Sequence, residues 1–259
     1  MRNILAIVER ELRAYFSSPI AYVVLTIFVF LAGLFFRLYL AQSMQAALIA
    51  QMQAQQLGPR PIDMPFQISR AFVGTLSVIL LFIMPMLTMG LFSEEKKRGT
   101  IELLLTAPLT DLQVVLGKFL AAVSFFVIML ASTWIPMAFL FMYGDPAAGP
   151  ILTAYLGLLL YGLAILSIGL FISTLTENQI IAAVLSFGMI MGLWLVDAAA
   201  NYAESPTWKG ILTYLSILNH LDEFMRGVLS TSHVIFYLSL MLVGLFLTYR
   251  SIDSLRWRG

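Results

Sequence analysis

The chain has 259 residues, of which 60% are hydrophobic and 11% are charged, and its formal net charge is only +1. Soluble domains carry about 25% charged residues, so this composition excludes an ordinary soluble protein and predicts an integral membrane protein. No cysteine is present, which excludes disulfides, thiolate catalysis and cysteine-bound metals. Six apolar runs leave almost no residues for a separate soluble domain, so we predict one transmembrane domain over residues 1–259.

Residues 1–18 predict an amphipathic helix that lies in the membrane interface. Its apolar side chains share one helical face: Ile4, Leu5, Val8, Leu12, Tyr15 and Phe16. The other face is largely polar and carries three arginines: Arg2, Arg10 and Arg13. An apolar face beside basic residues is typical of a helix that rests on a membrane surface. Acidic Glu9 and Glu11 interrupt the region and argue against a signal peptide.

Six apolar segments are long enough to be considered as membrane-spanning helices. The predicted spans are residues 20–39, 71–92, 119–143, 151–175, 180–196 and 234–249. Ser18 and Pro19 are suited to begin the first span, as an N-cap followed by a first-turn proline. Residues 41–57 allow this helix to continue outward as far as Gly58. The last span has only 16 residues, which falls short of the roughly 30 Å of hydrocarbon that a span must cross.

Residues 211–230 have a mixed character that does not fit a seventh span. Their apolar side chains are interleaved with polar ones: His220, Asp222, Glu223 and Arg226. A half-polar stretch of this kind is more compatible with a re-entrant or interfacial hairpin. We therefore predict an outer re-entrant hairpin here, on the face opposite the polar segment described next.

Residues 93–118 form the longest polar segment between two spans, and we call this segment the bracket. Five consecutive charged residues, from Glu94 to Arg98, end the second span abruptly. A charged side chain at the centre of a membrane helix costs about 2.5 to 3.5 kcal/mol on insertion scales, so these residues lie outside the hydrocarbon. The bracket is thus predicted to be a structured segment on one side of the membrane, placed where another protein could push on it.

Two helices are predicted within the bracket. Glu94 with Arg98, and Arg98 with Glu102, have the i,i+4 spacing at which opposite charges support a helix. Pro108 is predicted to end that helix. Residues 110–113 begin with threonine and end with glutamine, which is the sequence of a capping box and predicts the start of the next helix.

The distribution of basic residues predicts the orientation in the membrane. With the N-terminus inside, ten of the fifteen lysines and arginines fall on the cytoplasmic side. Positive charge favours that side, so both termini and the bracket are predicted to be cytoplasmic. The chain is then a multi-pass protein of the cytoplasmic (inner) membrane, with the lipid bilayer as its surroundings.

The search for chemistry in the sequence is largely negative. No phosphate-binding loop of the G-x-x-x-x-G-K-[ST] type is present, so the chain does not bind ATP in that way. The two histidines, His220 and His233, lie thirteen residues apart, which is a weak signal for a metal site. Asp197 with Asn201 is better explained as polar side chains at the end of a helix. We predict no catalytic residue, no metal site, no cofactor in this chain and no nucleic-acid partner, and the sequence identifies no substrate-binding residue.

The bracket resembles the signature of a known family. The sequence EEKKRGTIELLLTAPLT at residues 94–110, followed by Gly117 and Lys118, resembles that of ABC-2 type permeases, the membrane subunits of ATP-driven exporters. The sequence SILNHLDEFMRGVLS at residues 216–230 is similar to the branch associated with gliding motility and nitrous-oxide-reductase maturation. The resemblance extends over nearly the whole chain in the number and order of its helices.

The resemblance implies an all-α membrane fold with an amphipathic connecting helix at residues 2–16, a cytoplasmic coupling helix in the bracket and an outer re-entrant hairpin. It further implies partner ATPase subunits that hold the ATP and magnesium, a second permease, identical or related, that completes a dimer, and room for an accessory extracytoplasmic protein. The residues assigned to ATPase coupling are Glu94, Glu95, Arg98, Gly99, Thr100, Glu102 and Pro108. The chain would then be a non-enzymatic permease subunit, with the hydrolysis on another chain.

A different class of function also fits the sequence. A membrane scaffold that transmits force or a signal to a cytoplasmic partner needs the same bracket but moves no substrate. A polar path through the dimer would favour transport, and a sealed apolar interface would favour the scaffold.

Overall fold

A computed structural model describes residues 2–57, 63–101 and 109–256, and in these ranges the regular structure is helical, with no strand. The helices in chain order are α1 (Arg2–Ser17), α2 (Pro19–Leu57), α3 (Met64–Thr88), α4 (Ser93–Lys97), α5 (Asp111–Ser132), α6 (Trp134–Gly144), α7 (Ala148–Ser173), α8 (Gln179–Asn201), α9 (Pro206–Leu215), α10 (Ile217–Met225) and α11 (Thr231–Arg256). Six helical segments of the described chain are long and apolar enough to cross a membrane. The predicted all-α fold with six spans is therefore confirmed.

The first span is much longer than a bilayer requires. α2 begins at Pro19, as predicted, and runs without interruption for 39 residues. At about 1.5 Å per residue this is about 58 Å, against about 30 Å of hydrocarbon. Residues 41–57 do continue the first span, so α2 projects well beyond the membrane on the side away from Pro19.

The last span is longer than the sequence analysis predicts. α11 has 26 residues, so the expectation of a short span of 16 residues was wrong. That expectation stopped at Arg250, where the apolar run ends. In the structure Arg250 approaches Asp253 at 3.7 Å on the helix surface, while Thr248 and Ile252 are buried. The helix continues past its apolar run because one face stays packed against the protein.

The third span is divided at Thr133, where α5 ends and α6 begins. Pro136 has no backbone N–H, which leaves the carbonyl four residues earlier without its helical donor. Thr133 is buried, and its hydroxyl donates to the Leu130 carbonyl at 2.7 Å. The Thr133 hydroxyl thus adds a hydrogen bond to the backbone at the break.

α7 is the central helix of the bundle and contacts α3, α5, α8, α10 and α11. Its N-terminal end contacts α10, and its C-terminal end lies beside the bracket. Near its N-terminus, Thr153 donates to the Phe224 carbonyl at 3.0 Å, and a Cβ added at Gly157 would lie 2.6 Å from the Cβ of Phe224. Only glycine lets α10 come so close. α10 therefore packs at this end of α7, and together with α9, which contacts α8, it forms the segment that we call the hairpin.

The bracket lies at the opposite end of α7. Lys96 donates to the carbonyl of Thr174, which directly follows the helix. The Thr174 hydroxyl in turn donates to Ser251 of α11 at 2.8 Å. The bracket and the C-terminal end of α11 thus share one end of the molecule, and the hairpin occupies the other.

Candidate functional site

The first helix of the bracket, α4, ends earlier than predicted. The expectation of one helix from Glu94 past Arg98 was wrong, because α4 ends at Lys97. Gly99 follows with φ +69°, the left-handed conformation that glycine adopts without steric cost. The N–H of Gly99 donates to the Lys96 carbonyl at 3.1 Å and the N–H of Thr100 to the Glu95 carbonyl at 3.0 Å. These two bonds form a Schellman motif, which closes a helix and redirects the chain.

Two of the predicted coupling residues, Glu102 and Pro108, lie outside the described residues. The second half of the bracket is described from Leu109 onward. There Gln113 donates its N–H to the Thr110 hydroxyl at 3.3 Å, and its side-chain oxygen accepts from the Thr110 N–H at 3.4 Å. The predicted capping box is confirmed, and it begins α5.

A buried lysine joins the bracket to α1. Lys118 lies in the second turn of α5, and only 1% of its side chain is exposed. Its Nζ is 3.1 Å from Glu11 Oε1 of α1 and 2.9 Å from Glu95 Oε1 of α4. The same ammonium lies 5.1 Å from the centre of the Phe92 ring, at a cation–π distance. Three separate segments of the chain therefore meet at one buried charge.

Arg10 completes this arrangement. Its guanidinium lies 2.5 Å from Glu11 Oε1 and 3.1 Å from Glu95 Oε1. We call Arg10, Glu11, Glu95 and Lys118 the charge cluster. Two cations face two anions, so the cluster is electrically balanced. A buried charge is tolerated when it is paired in this way, whereas removal of one partner leaves an uncompensated charge.

The ionisation of the cluster follows from its geometry. Burial by itself would raise the pKa of Glu11, but the Lys118 ammonium and the Arg10 guanidinium together hold that pKa below its ordinary value. For Arg10, burial acts to lower the pKa, and the carboxylates of Glu11 and Glu95 more than offset it, so the pKa of Arg10 is raised. Both pKa shifts favour the charged forms of Glu11 and Arg10.

Close packing fixes α1 beside the cluster. Ile7 is the buried residue of α1, with 6% of its surface exposed. It sits on Gly117 of α5, where an added Cβ would lie 2.6 Å from the Ile7 Cγ2. Glycine is therefore required for α1 to approach α5 this closely. Ile7 and Glu11 are four residues apart, so the apolar contact and the ion pair lie on the same face of α1.

The remaining predicted site residues are more exposed than Glu95. Glu94 and Arg98 pair with each other, with 42% and 69% of their side chains exposed. Arg13 pairs with Glu9 at 2.6 Å on the exposed side of α1, and Arg2, Gly99 and Thr100 are exposed as well. The predicted site residues that the structure describes thus divide into two groups. Glu95, from the coupling set, and Arg10, from the interfacial helix, are ion-paired within the cluster, and the others lie outside it.

The sequence analysis missed two members of the cluster, Glu11 and Lys118, as functional residues. Their roles depend on contacts between segments about a hundred positions apart, which no local pattern reports. A signal was nevertheless present. Lys118 is a lone cation at the edge of an apolar run, between Gly117 and Phe119, and such a residue needs a partner.

A cleft of about 550 Å³ opens beside the cluster. It lies between α1, the first turns of α2, the last turn of α3, the bracket and the start of α8. Its polar lining includes Glu11, Glu94, Arg98 and Gln179, and its apolar lining includes Val24 and Met86. Burial raises the pKa of Tyr15, whose hydroxyl donates to the Leu87 carbonyl at 2.8 Å at the cleft wall. In the described residues, no group of three histidine or acidic side chains is arranged to hold a metal ion.

Comparisons with known proteins agree with this architecture. The model of the ABC-2 type transporter family matches residues 2–230, from α1 through the bracket to the end of the hairpin. The chain is 28% identical over 137 residues to the probable multidrug ABC transporter permease YbhR of Escherichia coli (strain K12), covering 52% of this chain and 37% of that protein. It is 34% identical over 121 residues to the probable multidrug ABC transporter permease YbhS of the same strain, covering 46% of this chain and 32% of that protein. The chain thus spans about a third of the length of the curated relatives it matches. Because the family model covers most of its residues, the chain belongs to the ABC-2 type transporter family.

Proposed function

We propose that this chain is the permease subunit of an ATP-binding cassette transporter, that it works as an exporter, and that a separately encoded ATPase drives it. The observation that carries this proposal is the charge cluster, which ties the bracket to α1 and α5 at one end of the bundle. A bracket that only stopped a membrane span would not need a buried ion pair to two other helices. A bracket that transmits movement to those helices needs such a connection.

The mechanism follows from the rigidity of that junction. An ATPase can shift a permease only through contacts that differ between its nucleotide states. The exposed residues Glu94, Arg98 and Thr100 are suited to make such contacts. Movement of the bracket is then passed through Glu95 to Lys118 of α5 and to Arg10 of α1. These helices tilt as rigid bodies, and the spans attached to them open a path.

The proposed orientation places the bracket, α1 and both termini in the cytoplasm. The basic residues support it, with ten of fifteen on that side. The hydrogen bonds from Lys96 to Thr174 and from Thr174 to Ser251 support it further, because they bring the bracket and the C-terminal end of α11 to one end of the molecule. α1 then rests on the inner leaflet, and the hairpin is the outer re-entrant segment of the cytoplasmic (inner) membrane protein.

The proposed assembly is a dimer of permeases with bound ATPases. Three of the spans bury few of their residues within the chain: 28% of the most apolar window of α2, and 17% of that window in both α8 and α11. These faces are available to a second permease, identical or related, and to lipid. ATP and magnesium are expected on the ATPase, so no cofactor is assigned to this chain.

The test is affinity purification of the chain from its native membrane. An ATPase should be recovered with it, and ATP hydrolysis should require that ATPase, because the chain has no phosphate-binding loop. Vesicles that contain both proteins should accumulate a transported compound only when ATP is supplied. Hydrolysis by the purified chain alone, or repeated purification without any ATPase, would contradict the proposal.

A further inference from the structure

The cleft beside the charge cluster changes from polar to apolar along its length. Its mouth, on the bracket side, is lined by the carboxylate of Glu94, the guanidinium of Arg98 and the amide of Gln179. Further in, Val24 of α2 and Met86 of α3 line its wall. The volume of about 550 Å³ lies within the range of about 300 to 1,000 Å³ that is usual for ligand sites. A cleft with this lining suits a molecule that is polar at one end and apolar at the other.

The apolar end of the cleft continues along the surface of α3. Val78, Phe82 and Met86 lie four residues apart, so they share one face of this helix, and 39%, 55% and 44% of their surfaces are exposed. α2 and α8 both pack on α3, and both contribute residues to the cleft. On the α8 side, the ring of Phe187 lies 5.1 Å from the ring of Phe82. The exposed strip of α3 therefore lies between α2 and α8, and we call the strip and the cleft together the groove.

The length of the groove matches one leaflet of a bilayer. From Val78 to Thr88, the last residue of α3, the helix rises by about 15 Å, at about 1.5 Å per residue. Half of the hydrocarbon is also about 15 Å thick. One turn beyond Val78 the groove is closed by α2, because the Tyr39 hydroxyl lies 2.5 Å from the Thr75 hydroxyl. A helix of a second permease would need a groove across the whole membrane, whereas an acyl chain needs only this length.

The charges at the mouth indicate the kind of headgroup. Glu94 and Arg98 pair with each other there and are partly exposed. Glu11 also lines the cleft, but its charge is already paired with those of Arg10 and Lys118. A guanidinium binds phosphate well, and a carboxylate binds an ammonium group. One cation beside one anion is therefore complementary to a headgroup that carries both a phosphate and an ammonium group.

We propose that the groove binds one zwitterionic phospholipid from the leaflet on the bracket side. The phosphate contacts Arg98 and the ammonium group contacts Glu94, in place of part of their contact with each other. One acyl chain lies along Met86, Phe82 and Val78. This inference goes beyond the proposed transport function and does not depend on it, because the site is complete in a single chain without an ATPase.

Photochemical labelling tests the position of the lipid. The purified full-length chain is placed in nanodiscs of phosphatidylglycerol, with a small fraction of phosphatidylethanolamine that carries a diazirine in the middle of one acyl chain. After irradiation, adducts are located by mass spectrometry of peptides. They should concentrate on residues 78–86, reach a plateau as the probe is increased, and disappear when unlabelled phosphatidylethanolamine is added. Equal and non-saturating labelling of exposed residues elsewhere, such as Ile128 and Ile135, would overturn the proposal, since it would indicate only general contact with the bilayer.

A tryptophan placed in the groove should exclude the acyl chain. Met86→Trp is expected to reduce the labelling of residues 78–82 by about tenfold, because the larger side chain occupies the space of the lipid. The matched control is Ile128→Trp in α5, at a position that is 42% exposed, against 44% for Met86. The control should leave the labelling of α3 unchanged. Equal labelling in the two variants would contradict the site.

The headgroup contact is tested by a change of preference, which does not require the groove to be filled. Glu94→Gln leaves Arg98 without its anion, so the groove should now be labelled more strongly by a phosphatidylglycerol probe than by the phosphatidylethanolamine probe. Glu9→Gln is the control, because Glu9 is an exposed carboxylate of α1 that lies outside the cleft. It should keep the preference of the unmodified chain. An unchanged preference in Glu94→Gln would overturn the assignment of the headgroup, and both measurements are independent of ATPase binding and transport.

Discussion

Lys118 is the residue on which the candidate site depends most. It is nearly inaccessible to solvent, with 1% of its side chain exposed, and it is the buried one of the two cations that Glu11 and Glu95 share. A buried ion pair often contributes little relative to an apolar pair of the same size, but removal of one partner costs about 3 to 5 kcal/mol. The cluster should therefore be much more sensitive to single substitutions than to its complete replacement.

The substitution Lys118→Met tests how sensitive the charge cluster is to the loss of one partner. It leaves Arg10 as the one cation of the cluster for both Glu11 and Glu95, so one carboxylate is uncompensated and α1 should loosen from α5. The measurement is the thermal unfolding temperature of the purified protein, together with labelling of a cysteine introduced on the buried face of α1. The free energy of unfolding should fall by about 3 to 5 kcal/mol.

Lys97→Met is the matched control. Lys97 is exposed on the same bracket, and its loss removes the same charge. Substitution of an exposed charge usually changes stability by less than about 1 kcal/mol. Equal effects of the two substitutions would show that the buried position of Lys118 has no special role.

The lowered pKa of Glu11 predicts a pH dependence for the same contact. A carboxyl whose pKa is lowered by folding contributes stability that is present above its ordinary pKa, about 4.3, and is lost as the pH falls through the folded value. α1 should thus remain attached at mildly acidic pH and detach only under stronger acid. Cysteine accessibility on α1, followed against pH, measures this. Glu11→Gln should remove the acid transition, and a transition that is unchanged in that variant would assign it to another group.

At the scale of helices, α1 packs closely on α5 because a glycine lies at their contact. A Cβ at Gly117 would collide with Ile7, so Gly117→Ala should displace α1 and weaken the coupling of ATP hydrolysis to transport. Gly33→Ala in α2 is the control, since no atom lies within 4 Å of the added Cβ there. Alanine is favoured over glycine in a helix by about 1 kcal/mol, so the control should be neutral or stabilising. The readout is the stability of each variant and its transport activity with the ATPase.

Two neighbouring glutamates of the bracket, which the sequence analysis assigns to ATPase coupling together, have different surroundings in the structure. Glu94 faces outward and pairs with exposed Arg98, while Glu95 faces the cluster. Glu94→Gln should leave α1 attached but weaken the binding of the ATPase. Glu95→Gln should loosen α1, because it removes a partner from Lys118. The two variants differ by one position, and co-purification of the ATPase with each of them distinguishes the roles. Normal ATPase binding by Glu94→Gln would exclude Glu94 from the docking surface.

Apolar length and turn chemistry were enough to predict the spans and the capping box at Thr110. The ends of the helices were less predictable. α3 begins at Met64 rather than Ala71, because Asp63 caps it by accepting from the Phe66 N–H at 3.0 Å in a stretch that is not strongly apolar. α4 ends at Lys97 because a left-handed glycine outweighs the favourable spacing of Arg98 and Glu102, an i,i+4 pair that contributes only about 0.2 to 0.5 kcal/mol.

The charge cluster was beyond the reach of local patterns for a different reason. Glu11 and Lys118 are 107 positions apart and meet only because Ile7 and Gly117 allow two helices to touch. Sequence reasoning selects charges by their neighbours along the chain. It therefore identified Glu94 and Arg98, which pair locally, and left Lys118 as one basic residue among fifteen.

At the scale of the whole molecule, the proposed orientation makes a simple prediction. Both termini should be cytoplasmic, because the basic residues favour that side by ten to five. A reporter that works only in the cytoplasm should be active when it is fused after Gly259. A reporter that must be exported in order to work should be inactive at the same position. Labelling of a cysteine at Thr207 by an impermeant reagent, added to intact cells, checks the opposite side. A C-terminus found outside would reverse the assignment of both the bracket and the hairpin.

The balanced charge cluster has a practical consequence for the assembled transporter. Mobile ions screen exposed charges over distances of about 8 Å at 0.15 M ionic strength, but they reach buried pairs far less. The pair of Glu94 and Arg98 is open to such ions, whereas Lys118 is not. Concentrated sodium chloride should therefore release the proposed ATPase from the membrane, while α1 stays bound to α5. Dilution of the salt should then restore ATPase binding without refolding, because the contact between α1 and α5 stays intact throughout.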